Sequence, residues 1–169
     1  MDQPVTPAKN VFCAALVAAA LVPVAIAPAL AGPNETAFLQ RLVGTWNGKG
    51  AITGGENGNL TCRLTIKPAG ERLSFNGRCA FSGGGSIAQS FSGRIGFNEK
   101  KGVFESSSQG TIVAGKKSGN NLTFASTISD MRGQGTTTMT LSPGGIKVQF
   151  KVTNSRSGET SQGSIPFKK

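Results

Sequence analysis

The sequence predicts an all-β fold: an antiparallel up-and-down β-barrel of about eight to ten strands, preceded by a short N-terminal helix. Three observations predict it. From residue 45 onward, short segments alternate apolar and polar residues with a period of two, as half-buried antiparallel strands do. Gly, Asn, Pro and Ser separate most of these segments. The connections are local, and closure into a barrel removes the sheet edges that could pair with other chains. A two-sheet sandwich is the alternative.

Ten segments have the length and alternation of strands. Several place a continuous apolar set on one face: Ile87, Phe91, Ile95 and Phe97; Leu122, Phe124 and Ile128; and Ile146, Val148, Phe150 and Val152. Between two of these segments, the turn Ser142-Pro143-Gly144-Gly145 has Pro and Gly at the positions that a type II turn prefers. We expect strands near residues 45–53, 60–68, 72–82, 86–98, 102–109, 111–117, 121–129, 135–141, 146–154 and 161–168.

One segment, residues 34–43, has helical spacing instead. Asn34 is a candidate N-cap, Glu35 falls in the first turn, and Gly44 is a stop signal. The apolar residues of this segment fall on a single stripe, which consists of Phe38, Leu39, Leu42 and Val43. We therefore expect one short amphipathic helix directly before the first strand.

The segment LTCRLTIKPAGERLSFNGRCAF, residues 60–81, has the pattern of a β-hairpin. Gly70-Glu71 suits the centre of a type II′ turn, whose twist matches that of a hairpin. Pairing outward from this turn places every large apolar residue on one face. It also places Cys62 opposite Cys79 in a non-hydrogen-bonded pair, where side chains come closest. We expect a disulfide between these two cysteines; two free buried thiols are the alternative.

Residues 1–31 have the pattern of a secretory signal peptide. An apolar run from Val11 to Leu30 follows a short segment that carries Lys9, and the run ends in small residues at Ala29 and Ala31. An uncleaved anchor is the alternative, because about twenty apolar residues can span a bilayer. Pro23, Pro28 and the alanine-rich content argue against an anchor. The predicted product is a secreted or periplasmic chain, residues 32–169, with one domain and no membrane span.

Composition excludes several kinds of chemistry. The chain has no histidine, and with Cys62 and Cys79 paired it lacks the groups that hydrolytic triads and common zinc sites need. Glu105 and Asp130 are the acids that remain when those in turn-like stretches and in the helix start are set aside, and two lone carboxylates without a spacing relation do not form a catalytic pair. We therefore expect a chain that is not an enzyme and that uses no cofactor and no metal.

The net charge of +10 favours anionic neighbours, such as envelope polymers, lipid head groups or nucleic acid. A solvated basic surface without a partner is the alternative. Nucleic-acid binding would use exposed aromatic rings between the basic residues, whereas the phenylalanines here mostly share the inward face. We expect an anionic envelope surface as a partner, and no nucleic acid.

The predicted helix runs into Gly44-Thr45-Trp46, a G-x-W start to the first strand. In this feature the chain resembles the calycin-like barrels, namely the lipocalins, fatty-acid-binding proteins and nitrobindin-like proteins. The resemblance implies that Trp46 plugs one barrel end, with ligand contact as its other role. The nitrobindin-like resemblance would imply haem held by a histidine, and this sequence has none. Haem bound in that way is excluded.

A second resemblance concerns the G-x-W strand together with a disulfide between nearby strands. This combination is similar to the bacterial inhibitors of secreted metalloproteases, small barrels whose N-terminal segment enters the protease cleft. The corresponding segment of this chain is residues 32–35, before the predicted helix.

These patterns predict a binding protein whose barrel lumen holds a small apolar ligand and whose outer surface is basic. Gly77, Gly93 and Ser126 are expected to leave room in the lumen, with Gln89 as a polar group. The alternatives are a fully packed interior, a protein-interaction module such as a secreted protease inhibitor, and an envelope-associated structural protein. The predicted ligand-binding residues are Phe75, Gln89, Phe91, Phe124 and Phe150.

Overall fold

The computed structural model describes residues 33–83, 85–130 and 133–169. The predicted signal peptide at residues 1–31 therefore lies outside the described residues. In those three ranges, none of the helical structure is long and apolar enough to cross a membrane. The elements are α1 (Pro33–Leu42), β1 (Gly44–Gly54), β2 (Gly58–Ala69), β3 (Arg72–Gly83), β4 (Gly85–Asn98), β5 (Val103–Ser108), β6 (Thr111–Ser118), β7 (Asn121–Asp130), β8 (Gly133–Ser142), β9 (Gly145–Asn154) and β10 (Thr160–Lys168).

The strands β1 to β10 form a closed antiparallel barrel. Each strand pairs with its neighbours along the chain, and β10 pairs with β1 to complete the ring. The predicted barrel is confirmed, and the sandwich alternative is wrong because a sandwich leaves its two sheets unclosed. The strand boundaries lie within two residues of the predicted positions, since the turn residues end the strands where the alternation stops.

The β2–β3 hairpin has the predicted register. Its pairs run from Ala69–Arg72 beside the turn to Leu60–Phe81 at the far end. A slip of one residue would turn the whole apolar face toward solvent, because side chains alternate between the two faces of a strand. The register therefore determines which residues of this hairpin line the interior.

Of the two turns predicted by type, one is confirmed and one is wrong. Gly70 has a φ of +64°, and Glu71 is not among the residues with positive φ. This combination is that of a type II′ turn. The turn at Pro143 and Gly144 is present between β8 and β9, but Gly144 lacks the positive φ that a type II turn requires at that position.

Helix α1 covers one end of the barrel, and it begins one residue earlier than predicted. Pro33 is its first residue, so Asn34 lies inside the first turn and is not the N-cap. Proline suits the first helical position because its φ is already close to the helical value. The same start makes residues 33–35, which belong to the segment likened to an inhibitory arm, helical. The predicted apolar stripe faces the interior, with Phe38, Leu39 and Leu42 buried.

Trp46 joins α1 to the barrel wall. It is 1% exposed, and its indole Nε1–H donates to the carbonyl oxygen of Leu42 at 2.9 Å. The ammonium group of Lys169 donates to the carbonyl oxygen of Arg41 at 3.0 Å and lies 4.9 Å from the centre of the Trp46 ring. These bonds satisfy carbonyls that the last turn of a helix leaves without partners. We call this end of the barrel the closed end.

Cys62 and Cys79 form the predicted disulfide, with their Cα atoms 4.0 Å apart. Replacement of both residues by serine should lower the free energy of unfolding by about 3 kcal/mol, because the unfolded chain regains the entropy that the cross-link removes. Urea denaturation of C62S/C79S, and of the wild-type chain with and without reductant, measures this loss. An unfolding midpoint that neither change affects would contradict the assignment.

Candidate binding site

The interior of the barrel is sealed at the closed end and accessible at the opposite end. Inward side chains near α1 are buried, and five of them are at most 1% exposed: Ile66, Leu73, Ile95, Leu122 and Leu141. At the opposite end, Gln89 on the inward side of β4 is exposed, and the inward Val152 of β9 is 44% exposed. We call this the open end.

Inward phenylalanines lie directly opposite glycines on neighbouring strands. The pairs are Phe75–Gly93, Phe91–Gly77, Phe124–Gly115 and Phe150–Gly163. A Cβ atom built on any of these glycines would lie closer than 3.0 Å to the opposite ring. Each ring therefore rests on the backbone of its glycine. The room predicted at Gly77 and Gly93 is filled by the Phe91 and Phe75 rings, so this expectation is wrong.

The structure places the predicted ligand-binding residues at two depths. Phe75 and Phe124 are 8% and 4% exposed and belong to the core. Phe91 and Phe150 are half-buried and pack against that core, while Gln89 is exposed on β4 opposite Cys79. A molecule that enters through the open end would meet the second group first. The role of all five residues in ligand contact stays a prediction.

Two concavities lie on the outer wall, where the sequence suggested no site. One, of about 540 Å³, crosses β1, β10, β9 and β8 and is lined mainly by Thr, Gln and Ser side chains, with Lys151 among them. The other, of about 660 Å³, crosses β2, β3 and β4 and contains Lys67 and Arg94. Alternation identifies these side chains as outward-facing, but the concavities also depend on the curvature of several neighbouring strands.

Glu105 lies on the outer side of β5, and neighbouring residues largely cover it. The Lys101 ammonium group donates to its Oε1 at 2.9 Å. Hydrogen bonds from Lys101 and then Asn98 lower the pKa of Glu105, and they outweigh the desolvation that would raise it. A carboxylate held ionised by two donors is suited to fixing the β4–β5 turn and poorly suited to proton transfer near neutral pH.

Asp130, the other acid considered for catalysis, lies at the end of β7, on a different strand from Glu105. In residues 33–83, 85–130 and 133–169, no three His, Cys, Asp or Glu side chains come together as a metal site would require.

These features define a calycin-like β-barrel: strands in closed up-and-down order, a helix over one end, and a buried tryptophan on the first strand. Solved structures that are similar to the chain include the following two. Rv2717c from M. tuberculosis matches with a TM-score of 0.55 and 9% identity, over 78% of this chain and 96% of that one. The S-type phycobiliprotein lyase CPES from Guillardia theta matches with a TM-score of 0.53 and 11% identity, over 78% of this chain and 89% of that one.

No protein-family model and no curated protein matches the sequence. At identities of 9% and 11%, the similarity to the two solved structures concerns the fold alone. No site residue is carried over from them.

Substitution of Gly77 by Ala tests the ring-on-glycine packing. The added methyl group would collide with the Phe91 ring, so we expect the free energy of unfolding to fall by about 1–3 kcal/mol, as in other overpacked cores. Gly144→Ala is the control, because nothing lies within 4 Å of a Cβ at Gly144. Its effect should stay within about 0.5 kcal/mol. Equal losses in urea denaturation of the two variants would contradict the packing.

The stability of the fold should depend on pH through Glu105. Because the pKa of Glu105 in the folded chain lies below its ordinary value of 4.5, the ionised group stabilises the fold above that pH. This contribution disappears as the pH falls through the folded-state pKa. E105Q should therefore destabilise the chain at neutral pH and have little effect in strong acid, and the pH-dependent part should shrink in a K101Q background. Urea denaturation over a pH series measures it; a pH-independent difference would refute the ion pair.

Proposed function

We propose that the chain is a secreted or periplasmic binding protein that holds a small apolar ligand at the open end of the barrel interior and catalyses no reaction. The observation that carries this proposal is the gradient of burial along the interior, from the sealed packing under α1 to the exposed Gln89 and Val152. Leaving apolar side chains accessible forgoes the stabilisation of burial. An accessible apolar end is therefore more typical of a binding site than of a structural core.

The composition of the open end supports a mainly apolar ligand. Phe91, Phe150 and Val152 supply apolar surface, and the amide of Gln89 can both donate and accept hydrogen bonds. Small-molecule sites commonly combine an apolar wall with a few polar groups that orient the ligand. Half-buried inward side chains toward this end include Ile52, Phe81, Val113, Ser126 and Thr137.

Export is supported by the disulfide between Cys62 and Cys79. Such bonds persist in oxidising compartments and are rare in the cytosol. Together with the signal peptide predicted for residues 1–31, the disulfide favours a secreted or periplasmic location.

Native mass spectrometry of the chain purified from its own host tests the proposal. A mass above that of the polypeptide that is lost on unfolding would support a bound molecule, and its value would indicate the chemical class. Only the unliganded mass, combined with no uptake of the apolar dye used below, would overturn the proposal.

Uptake of the neutral apolar dye N-phenyl-1-naphthylamine should depend on Val152. The V152D variant places a carboxylate in the open end, and we expect the affinity for the dye to fall about tenfold or more, since a charge beside an apolar ligand loses hydration.

Ile112→Asp is the matched control for this change. Ile112 is also exposed, at 64%, but it faces outward on β6, so I112D should bind the dye as the wild type does. Fluorescence titration measures both variants. Equal losses would place the dye outside the barrel interior and speak against a ligand there.

A further inference from the structure

The outer wall formed by β2, β3 and β4 is positively charged and carries no acidic side chain. These strands contain no Asp or Glu. The three strands contain five basic residues. One of them, Arg72, lies close enough to Glu105 to help lower the pKa of that carboxyl group. The others face outward and are exposed, and we call them the basic wall: Arg63, Lys67, Arg78 and Arg94. Within the part of the chain that the structure describes, none of these four has an ion-pair partner.

The strand register arranges the outward side chains of this wall in rows that cross the three strands. The row nearest the closed end is Ala69, Arg72 and Gly96. The next rows are Lys67, Ser74 and Arg94; then Thr65, Asn76 and Ser92; then Arg63, Arg78 and Ser90. Successive rows are about 7 Å apart, because two residues of an extended strand separate them. An uncharged row of hydrogen-bonding groups therefore lies between two rows that each contain two cations.

The outer concavity of about 660 Å³ coincides with the second and third of these rows. Lys67 and Arg94 stand on either side of it, and their charged groups can bind carboxylate or sulfate oxygens. The hydroxyl and amide groups of the neutral row can donate and accept hydrogen bonds. The groove thus offers charge and hydrogen bonding together, as a chain of acidic sugars requires.

We propose that this groove and the basic wall bind an anionic polysaccharide. The acidic groups of the polymer lie against the two cationic rows, and its hydroxyl groups lie against Thr65, Asn76 and Ser92. Charge complementarity favours this occupant, since the cations have no protein partner among the described residues. Arg63 and Arg78 also face each other directly across two strands. Like charges in such a pair repel, and a bound anion relieves that repulsion.

The same wall is less suited to two other anionic partners, a nucleic acid and a membrane surface. Nucleic-acid bases stack on exposed aromatic rings, but Phe75, the aromatic residue among those that line the groove, is 8% exposed and belongs to the core. A membrane surface is too broad to enter a groove of this size. Among the side chains whose exposure the structure describes, the exposed large apolar ones, Ile112 and Val152, lie on β6 and β9. A linear polymer can follow the groove.

Isothermal titration of the full chain with polygalacturonate and with dextran sulfate tests the proposal. K67Q/R94Q should bind about tenfold or more weakly than the wild type, because two charge-assisted contacts are lost. R63Q/R78Q should also weaken binding, and this second variant tests the proposal if K67Q/R94Q does not fold. K147Q/K151Q is the matched control: it removes the same charge from exposed positions on β9, and its loss should stay within about twofold.

Equal losses in K67Q/R94Q and K147Q/K151Q would show attraction to net charge alone and would overturn the proposal, as would no binding of either polymer. Tighter binding of phosphatidylglycerol vesicles or oligothymidylate, with the same dependence on Lys67 and Arg94, would overturn the choice of a polysaccharide. The result is independent of the interior site, because K67Q/R94Q should take up the naphthylamine dye as the wild type does.

Discussion

The register between neighbouring strands decides which chemistry the molecule presents inside and which outside. In β2, residues alternate between the core and solvent, so Cys62 and Leu64 are buried while Arg63 and Lys67 are exposed. A shift of one residue would expose the apolar side chains and bring the cations into the interior, where an unpaired charge is strongly destabilising. The interior site and the basic wall both depend on this alignment.

Within that alignment, pairing of rings with glycines sets the shape of the interior. A glycine on its own weakens a strand, but a ring from the next strand that covers it restores packing. The Phe75 and Phe124 rings add to the core, whereas Phe91 and Phe150 remain half-buried. The interior is consequently filled near α1 and accessible at the other end, without any large void at the glycines themselves.

The sequence was sufficient for features that depend on local pattern and insufficient for those that depend on several strands at once. Alternation located the strands, and the turn at Gly70 fixed the pairing of Cys62 with Cys79. The rings over Gly77 and Gly93 require the β3–β4 register as well, so the predicted room there was wrong. The outer groove depends on the arrangement and curvature of three strands, and the alternation within one segment predicts neither. The φ of Gly144 shows the same limit, since Pro-Gly permits more than one turn type.

The disulfide lies beside the pair of opposed arginines in the basic wall. Cys62–Cys79 is the residue pair next to Arg63–Arg78 in the hairpin ladder, and its bond lies on the inner face while the two cations oppose each other on the outer face. Opposed like charges cost roughly 0.2–1 kcal/mol, whereas a cross-link of this loop length contributes about 3 kcal/mol. The stabilisation by the disulfide is therefore larger than the destabilisation by the two opposed arginines.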